Sequence, residues 1–243
     1  MKFPISFINH STVVSDAEAK IVMGHLQTQV SRDFAPIWGV DAQLFFVSAS
    51  GTPNPAYWQL VLLDDADAAN ALGYHELTSA GLPLGKVFVK TTAQAKGKWS
   101  VTASHELLEM LIDPDINLTV FVQDSNTSGR IYAYEVCDAV EDDSLGYNIY
   151  SATVSDFVTP AWFEAQGSSL SPKFDFMGHL TKPFALALNG YIGIFDATAG
   201  TGWQQLMGMQ GKVGKFGENS KGGEEARNKT RTIGMQDRRR SKK

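Results

Sequence analysis

Between Trp99 and Ile112 the chain carries three ionisable side chains, His105, Glu106 and Glu109, inside a stretch that is apolar on nearly every side. Its length suits a helix, with Ser100 or Thr102 as caps at the start and Pro114 closing the end. On a helix, positions i and i+4 share a face, so His105 and Glu109 point the same way. Val101, Leu108 and Ile112 lie on or beside that stripe, while Leu107, Met110 and Leu111 make the other side apolar. A helix apolar on most sides is buried. Any fold open to this chain must therefore bury an imidazole and two carboxylates. An uncompensated carboxylate is costly there, and a bound cation removes the cost.

The spacing follows the logic of the H-E-x-x-H zinc helix, with Glu109 at the second ligand position. Carboxylate oxygen is an acceptable zinc ligand, so the geometry survives the exchange. A catalytic site needs a third protein ligand and leaves one position for water. Glu135 and Asp138, in Tyr134-Glu135-Val136-Cys137-Asp138, are the candidates, with Asp113 a weaker one. The bare pattern also arises by chance on amphipathic helices. Burial and the downstream acid pair favour a metal. His75 could approach the metal or stabilise an oxyanion, or it could be a loop histidine. His179 reads as structural, and His10 and His25 as surface or packing residues. Cys137 reads as a small buried thiol in preference to a thiolate ligand.

Around this helix the pattern predicts a first strand at Lys2 to Ile8. Ser15 and Glu18 have capping-box spacing, and the helix they open stops near Pro36. Ala42 to Ser48 and Trp58 to Leu63 read as strands that can pair as a hairpin, and Lys86 to Thr91 as a further strand. Leu118 to Gln123 and Ile131 to Val136 read as strands around a polar turn, and Tyr147 to Val158 as extended. Strand, helix, strands, helix and then irregular β make an α+β domain over residues 1–210.

Ser104-His105-Glu106-Leu107-Leu108-Glu109, then Asp113-Pro114, then Glu135-Val136-Cys137-Asp138, resembles a diffuse group of zincin-like proteins that includes the plant exordium-like (phosphate-induced) proteins. Gly73-Tyr74-His75, the run Gly81 to Val89, and Val154-Ser155-Asp156-Phe157 are similar to an uncharacterised bacterial and phage family. The resemblance implies a zincin-like fold: a mixed twisted sheet packed on a buried active-site helix, with a strand before the helix that can pair with extended peptide. It further implies His105 and Glu109 as zinc ligands and Glu106 as general base on a metal-bound water. Glu135 or Asp138 would complete or orient the shell.

Charge separates the domain from its C-terminal tail. Residues 211–243 hold eleven Lys and Arg against four Asp and Glu, a net of +7, which leaves −12 on residues 1–210 within a whole-chain charge of −5. The tail is poor in large apolar residues and is expected to be disordered. Its Arg238-Arg239-Arg240-Ser241-Lys242-Lys243 end can attach to nucleic acid or an anionic surface, whereas the acidic body is a poor nucleic-acid binder. No apolar run reaches the roughly 18 residues of a membrane span. The N-terminus lacks a Sec-type signal, so the default compartment is the cytoplasm, with non-classical export or virion association as alternatives. One cysteine excludes a disulfide framework. The acidic runs Asp64, Asp65, Asp67 and Glu141, Asp142, Asp143 match no twelve-residue calcium loop, so calcium is unsupported. The expected function is zinc-dependent hydrolysis of a peptide or protein. The rival is a metal-stabilised, non-catalytic binding or structural protein, such as a phage or surface component.

Overall fold

The structure is a computed structural model and describes residues 2–69, 71–165, 173–199, 202–209 and 212–214. Five strands, β1 (Lys2–Asn9), β2 (Asp41–Val47), β3 (Trp58–Leu63), β4 (Gly73–Leu77) and β5 (Pro83–Phe88), form the first sheet in the order β2-β1-β3-β5-β4. β1 pairs in parallel with β2 and β3, and β3 with β5; β4 runs antiparallel along β5. The chain is thus mixed α and β, compatible with the expected class. The near-continuous apolar run of β1 follows from its interior place, where Ile5 and Phe7 are fully buried.

The expected hairpin of residues 42–48 with 58–63 does not form. Both segments flank β1 and run parallel to it. The Gly/Pro/Asn cluster between them is long enough to return the chain to the starting end of the sheet, which a two-residue hairpin turn cannot do.

The helix α1 (Asp16–Thr28) starts as expected, with Ser15 Oγ accepting the Glu18 N–H at 3.2 Å. The helical run ends at Trp38, two residues past Pro36, but not as one α-helix. Winding continues through a π-helical stretch, Gln29–Phe34, into α2 (Ala35–Trp38), and ends at Gly39 with φ +72°. Pro36 falls in the first turn of α2, where its missing N–H costs nothing. The strand expected at 86–91 is also displaced: β5 ends at Phe88 and the chain winds into α3 (Val89–Gln94). Lys90 and Thr91 donate their N–H groups to Asp64 O, and Thr92 Oγ1 bonds Phe88 O. These contacts override the β preference of Val89, Thr91 and Thr92.

α4 (Trp99–Ile112) has the bounds read from the sequence, but neither Ser100 nor Thr102 caps it. The cap position is Lys98, whose N–H is taken by Asp143 Oδ2 at 2.7 Å, while Ser100 Oγ donates to Thr153 O. Its residues from Ser100 to Leu111 are buried except Thr102. It packs against β4, β5 and the later hairpin of β8 (Tyr147–Ile149) and β9 (Ala152–Val154).

Between α4 and that hairpin come β6 (Thr119–Ser125) and β7 (Ser128–Ala133), paired antiparallel as expected. β7 is shorter than its apolar run, so residues 134–138 leave the sheet and return towards α4. With β10 (Tyr191–Asp196), β11 (Trp203–Met209) and β12 (Lys212–Gly214), β6 and β7 make a second, antiparallel sheet in the order β12-β11-β10-β7-β6. β12 pairs with β11, so the folded body passes the expected boundary at residue 210. Residues 215–243, the bulk of the tail expected to be disordered, lie outside the described residues. Among the described residues no helix is long and apolar enough to cross a membrane.

Gly190 opens β10 against the short 3₁₀ turn Asp138–Val140. A Cβ there would run into the carbonyl carbon and oxygen of Ala139, which are backbone atoms with little freedom to yield. Gly190→Ala is therefore expected to destabilise the fold by about 1–3 kcal/mol, the range for overpacking. A denaturation midpoint equal to that of the parent protein would show that the turn yields freely.

Candidate metal centre

Three pieces of chain converge on the buried face of α4. The helix supplies His105, Glu106 and Glu109, which are 4%, 1% and 0% exposed. β4 supplies His75. The segment after β7 supplies Glu135, Cys137 and Asp138, each at most 2% exposed. The six candidates named from the sequence, His75, His105, Glu106, Glu109, Glu135 and Asp138, thus gather in one place. Asp113 does not join them. Its Oδ1 accepts the N–H groups of Asn117 and Leu118, which secures the turn after the helix.

His105 Nε2 lies 3.1 Å from Glu109 Oε2 and 3.2 Å from Asp138 Oδ1, yet this nitrogen makes no hydrogen bond. Donor atoms held by a tetrahedral zinc with bonds of roughly 2.0–2.2 Å stand about 3.3 Å apart. His105 thus stands at that distance from one oxygen of each of two carboxylates. Around α4, two donor groups have their atoms within 4.8 Å of one another: His105, Glu109 and Cys137, and His75, Glu109 and Glu135; a third, Asp156, Asp175 and His179, lies elsewhere. Glu109 belongs to both groups around α4.

Without an ion, burial disfavours a charged His105, but the carboxylates of Glu109, Asp138 and Glu106 outweigh it and hold the imidazole well above its usual range. Burial, reinforced by Glu109, pushes the Cys137 thiol well up as well. The backbone N–H of Cys137 donates to Glu109 Oε1 at 3.2 Å, so this residue serves the site through its main chain.

His75 faces α4 because it alternates along β4 with Tyr74 and Glu76, which turn away to Lys86. Its register partner is Gly85, where a side chain would strike Leu60 Cδ1. Glycine at position 73, where a side chain would run into Thr102, Glu106 and the Lys86 carbonyl, lets the helix come close, and His75 Nδ1 reaches 3.5 Å from Glu106 Oε2 and 4.0 Å from Glu109 Oε2. A cleft of about 190 Å³ opens over this point, reached by Gly73, Thr102, His105, Glu106 and Tyr191.

The strand expected to receive extended substrate, 86–91, cannot do so. β5 is covered by β3 on one side and β4 on the other. The strand with an open edge beside the cleft is β4.

A supporting network has no signature in the sequence. Gln29, where the π-helical stretch begins, donates from Nε2 to Ser155 O and accepts at Oε1 from Ser104 Oγ, which in turn accepts the Ser155 N–H. This fixes the residue next to His105. No local pattern marks Gln29, because its partners lie far along the chain.

A separate pair of acids, Asp156 and Asp175, lies fully buried. Asp175 accepts the N–H groups of Gly178, His179 and Leu180, and Asp156 Oδ1 those of Phe157 and Met177. Burial and then the neighbouring Asp175 push Asp156 up to about 8. Below about pH 4 the folded and unfolded chains both hold this proton. Between about 4 and 8 only the folded chain holds it, so this contribution to stability falls as pH rises, by at most about 1.4 kcal/mol per unit. Asp156→Asn keeps an accepting oxygen and supplies a permanent donor, so the pH dependence of the melting temperature between 5 and 8 should flatten. An unchanged slope would show that Asp156 does not hold the proton.

In comparisons with known proteins the chain matches no family model, no curated protein and no solved structure.

Proposed function

We propose that this domain is a zinc-dependent hydrolase of zincin-like type, most specifically a metallopeptidase, with the metal held by His105, Glu109 and Asp138. The observation that carries the reading is the placement of His105 Nε2, 3.1 and 3.2 Å from two carboxylate oxygens and without a hydrogen bond. The donor set fits zinc, which takes imidazole and carboxylate together. When bound, zinc supplies positive charge that acidifies water and polarises a carbonyl.

The chain's own groups account for the remaining chemistry. Glu106 lines the cleft, so it is the base that takes a proton from the attacking water and passes it to the leaving amine. His75 stands beside Glu106 and can orient it. An extended peptide can add to the open edge of β4 through main-chain hydrogen bonds, which brings its backbone past the cleft.

A non-catalytic, metal-stabilised protein is the second reading. It is favoured by the surplus of buried donors, since Cys137 also belongs to the group of His105 and Glu109, and four protein ligands would close the shell. Metal analysis of the purified protein, with cleavage of an unfolded protein assayed before and after chelation, decides between them. Stoichiometric zinc with chelator-sensitive cleavage supports the peptidase. Zinc without cleavage supports the second reading, and no zinc overturns both. The basic tail's attachment to nucleic acid or an anionic surface is part of the same proposal. A deletion testing it must begin after Gly214, because β12 belongs to the sheet.

A further inference from the structure

We infer that the centre binds two metal ions bridged by the Glu109 carboxylate, the second held by His75, Glu109 and Glu135. The inference rests on the proposed metal centre and extends it. Its starting point is His75. The side chain is 0% exposed, and neither ring nitrogen makes a hydrogen bond. A neutral imidazole has one donor and one acceptor, and leaving both unmade in a core is costly. A cation accepts the lone pair and accounts for the nitrogen aimed at the acids.

The second observation is independent of that one. Glu109, fully buried, belongs to both donor groups, whereas no group among the described residues contains both histidines. One ion would need its ligands about 3.3 Å apart. His105 already satisfies that spacing with Glu109 and Asp138, and His75 Nδ1 stands 4.0 Å from the same Glu109 oxygen. Both histidines face Glu109 Oε2 while Oε1 accepts the Cys137 N–H, so Oε2 is the bridging atom, between ions roughly 3.5–4 Å apart as in two-metal hydrolytic sites.

Charge agrees with the count. Glu106, Glu109, Glu135 and Asp138 bring up to four negative charges into a region at most 2% exposed. One divalent ion neutralises half of these, and two neutralise all four. In this arrangement Glu106, 3.5 Å from His75 Nδ1, stands beside the second ion's ligand set. There it would act on a water that the bound metal acidifies.

The test is zinc stoichiometry on the full chain, demetallated and re-equilibrated with Zn²⁺ alone. Two ions per chain are expected, falling to one in His75→Gln and in Glu135→Gln, with native circular dichroism retained. The second variant serves if the first does not fold. Substituting Co²⁺ should give two absorption steps in the parent and one in each variant. One ion in the parent overturns the second site, whichever variant retains it; if cleavage persists, the peptidase reading stands. Two ions retained in both folded variants overturn the assignment to His75 and Glu135. Two ions without cleavage leave the dinuclear site standing and overturn the peptidase, and no ion overturns both.

Discussion

Glu106→Gln is expected to lower kcat/KM for cleavage of an unfolded protein by about 10²–10⁴-fold, the range for loss of a positioned acid–base group. Its zinc content should not change. Gln keeps the volume and the hydrogen-bonding reach of Glu, so the packing of α4 against Gly85 and β4 survives. What it loses is the ability to take a proton. The pairing of the two measurements matters, because Glu106 sits among the proposed ligands and 3.5 Å from His75. If zinc disappears with activity, Glu106 is itself a ligand and the base lies elsewhere. If activity persists with zinc intact, Glu106 is not the base.

The largest effect on stability should come from removing the metal. Glu106, Glu109, Glu135 and Asp138 are all at most 2% exposed, and a buried charge stripped of its partner is strongly destabilising. A ligand present at a thousandfold its dissociation constant stabilises by about 4 kcal/mol. For a domain of this size each kcal/mol moves Tm by roughly 2–4 °C. Chelation should therefore lower Tm by about 8–16 °C, reversed by added zinc. Glu109→Gln should bind no zinc and show no chelator shift. Its Tm should match or exceed that of the demetallated parent, since the exchange removes one buried negative charge and Oε1 can still accept the Cys137 N–H. A parent whose Tm is indifferent to chelation would contradict a metal in this core.

The candidate site is legible in the sequence because its residues are chemically out of place in their local pattern. His105, Glu106 and Glu109 interrupt a stretch that must be buried, and i to i+4 spacing sets two of them on one face. Glu135 and Asp138 are legible as the nearest acids returning from a short β excursion. His75 stands out as a possible participant without a place, because only the antiparallel turn of β4 beside β5 aims it at α4.

Strand pairing is not legible to the same degree. Residues 42–48 and 58–63 have the right composition for strands, but composition does not state which neighbour a strand takes. β1 lies between them because parallel pairing needs a crossover, and nothing local marks that. The β-branched stretch after Phe88 likewise turns helical once Asp64 takes the N–H groups of Lys90 and Thr91.

By itself, then, the sequence determined that α4 forms, that it is buried, and that it carries acids and an imidazole needing compensation. These follow from periodicity and desolvation within one helix. Only the tertiary structure decided which acid meets His105, which edge of the sheet stays open beside the cleft, and that Glu109 stands between two histidines brought from separate stretches of chain. Those are contacts between segments far apart in sequence, and the register and crossover of the sheet set them.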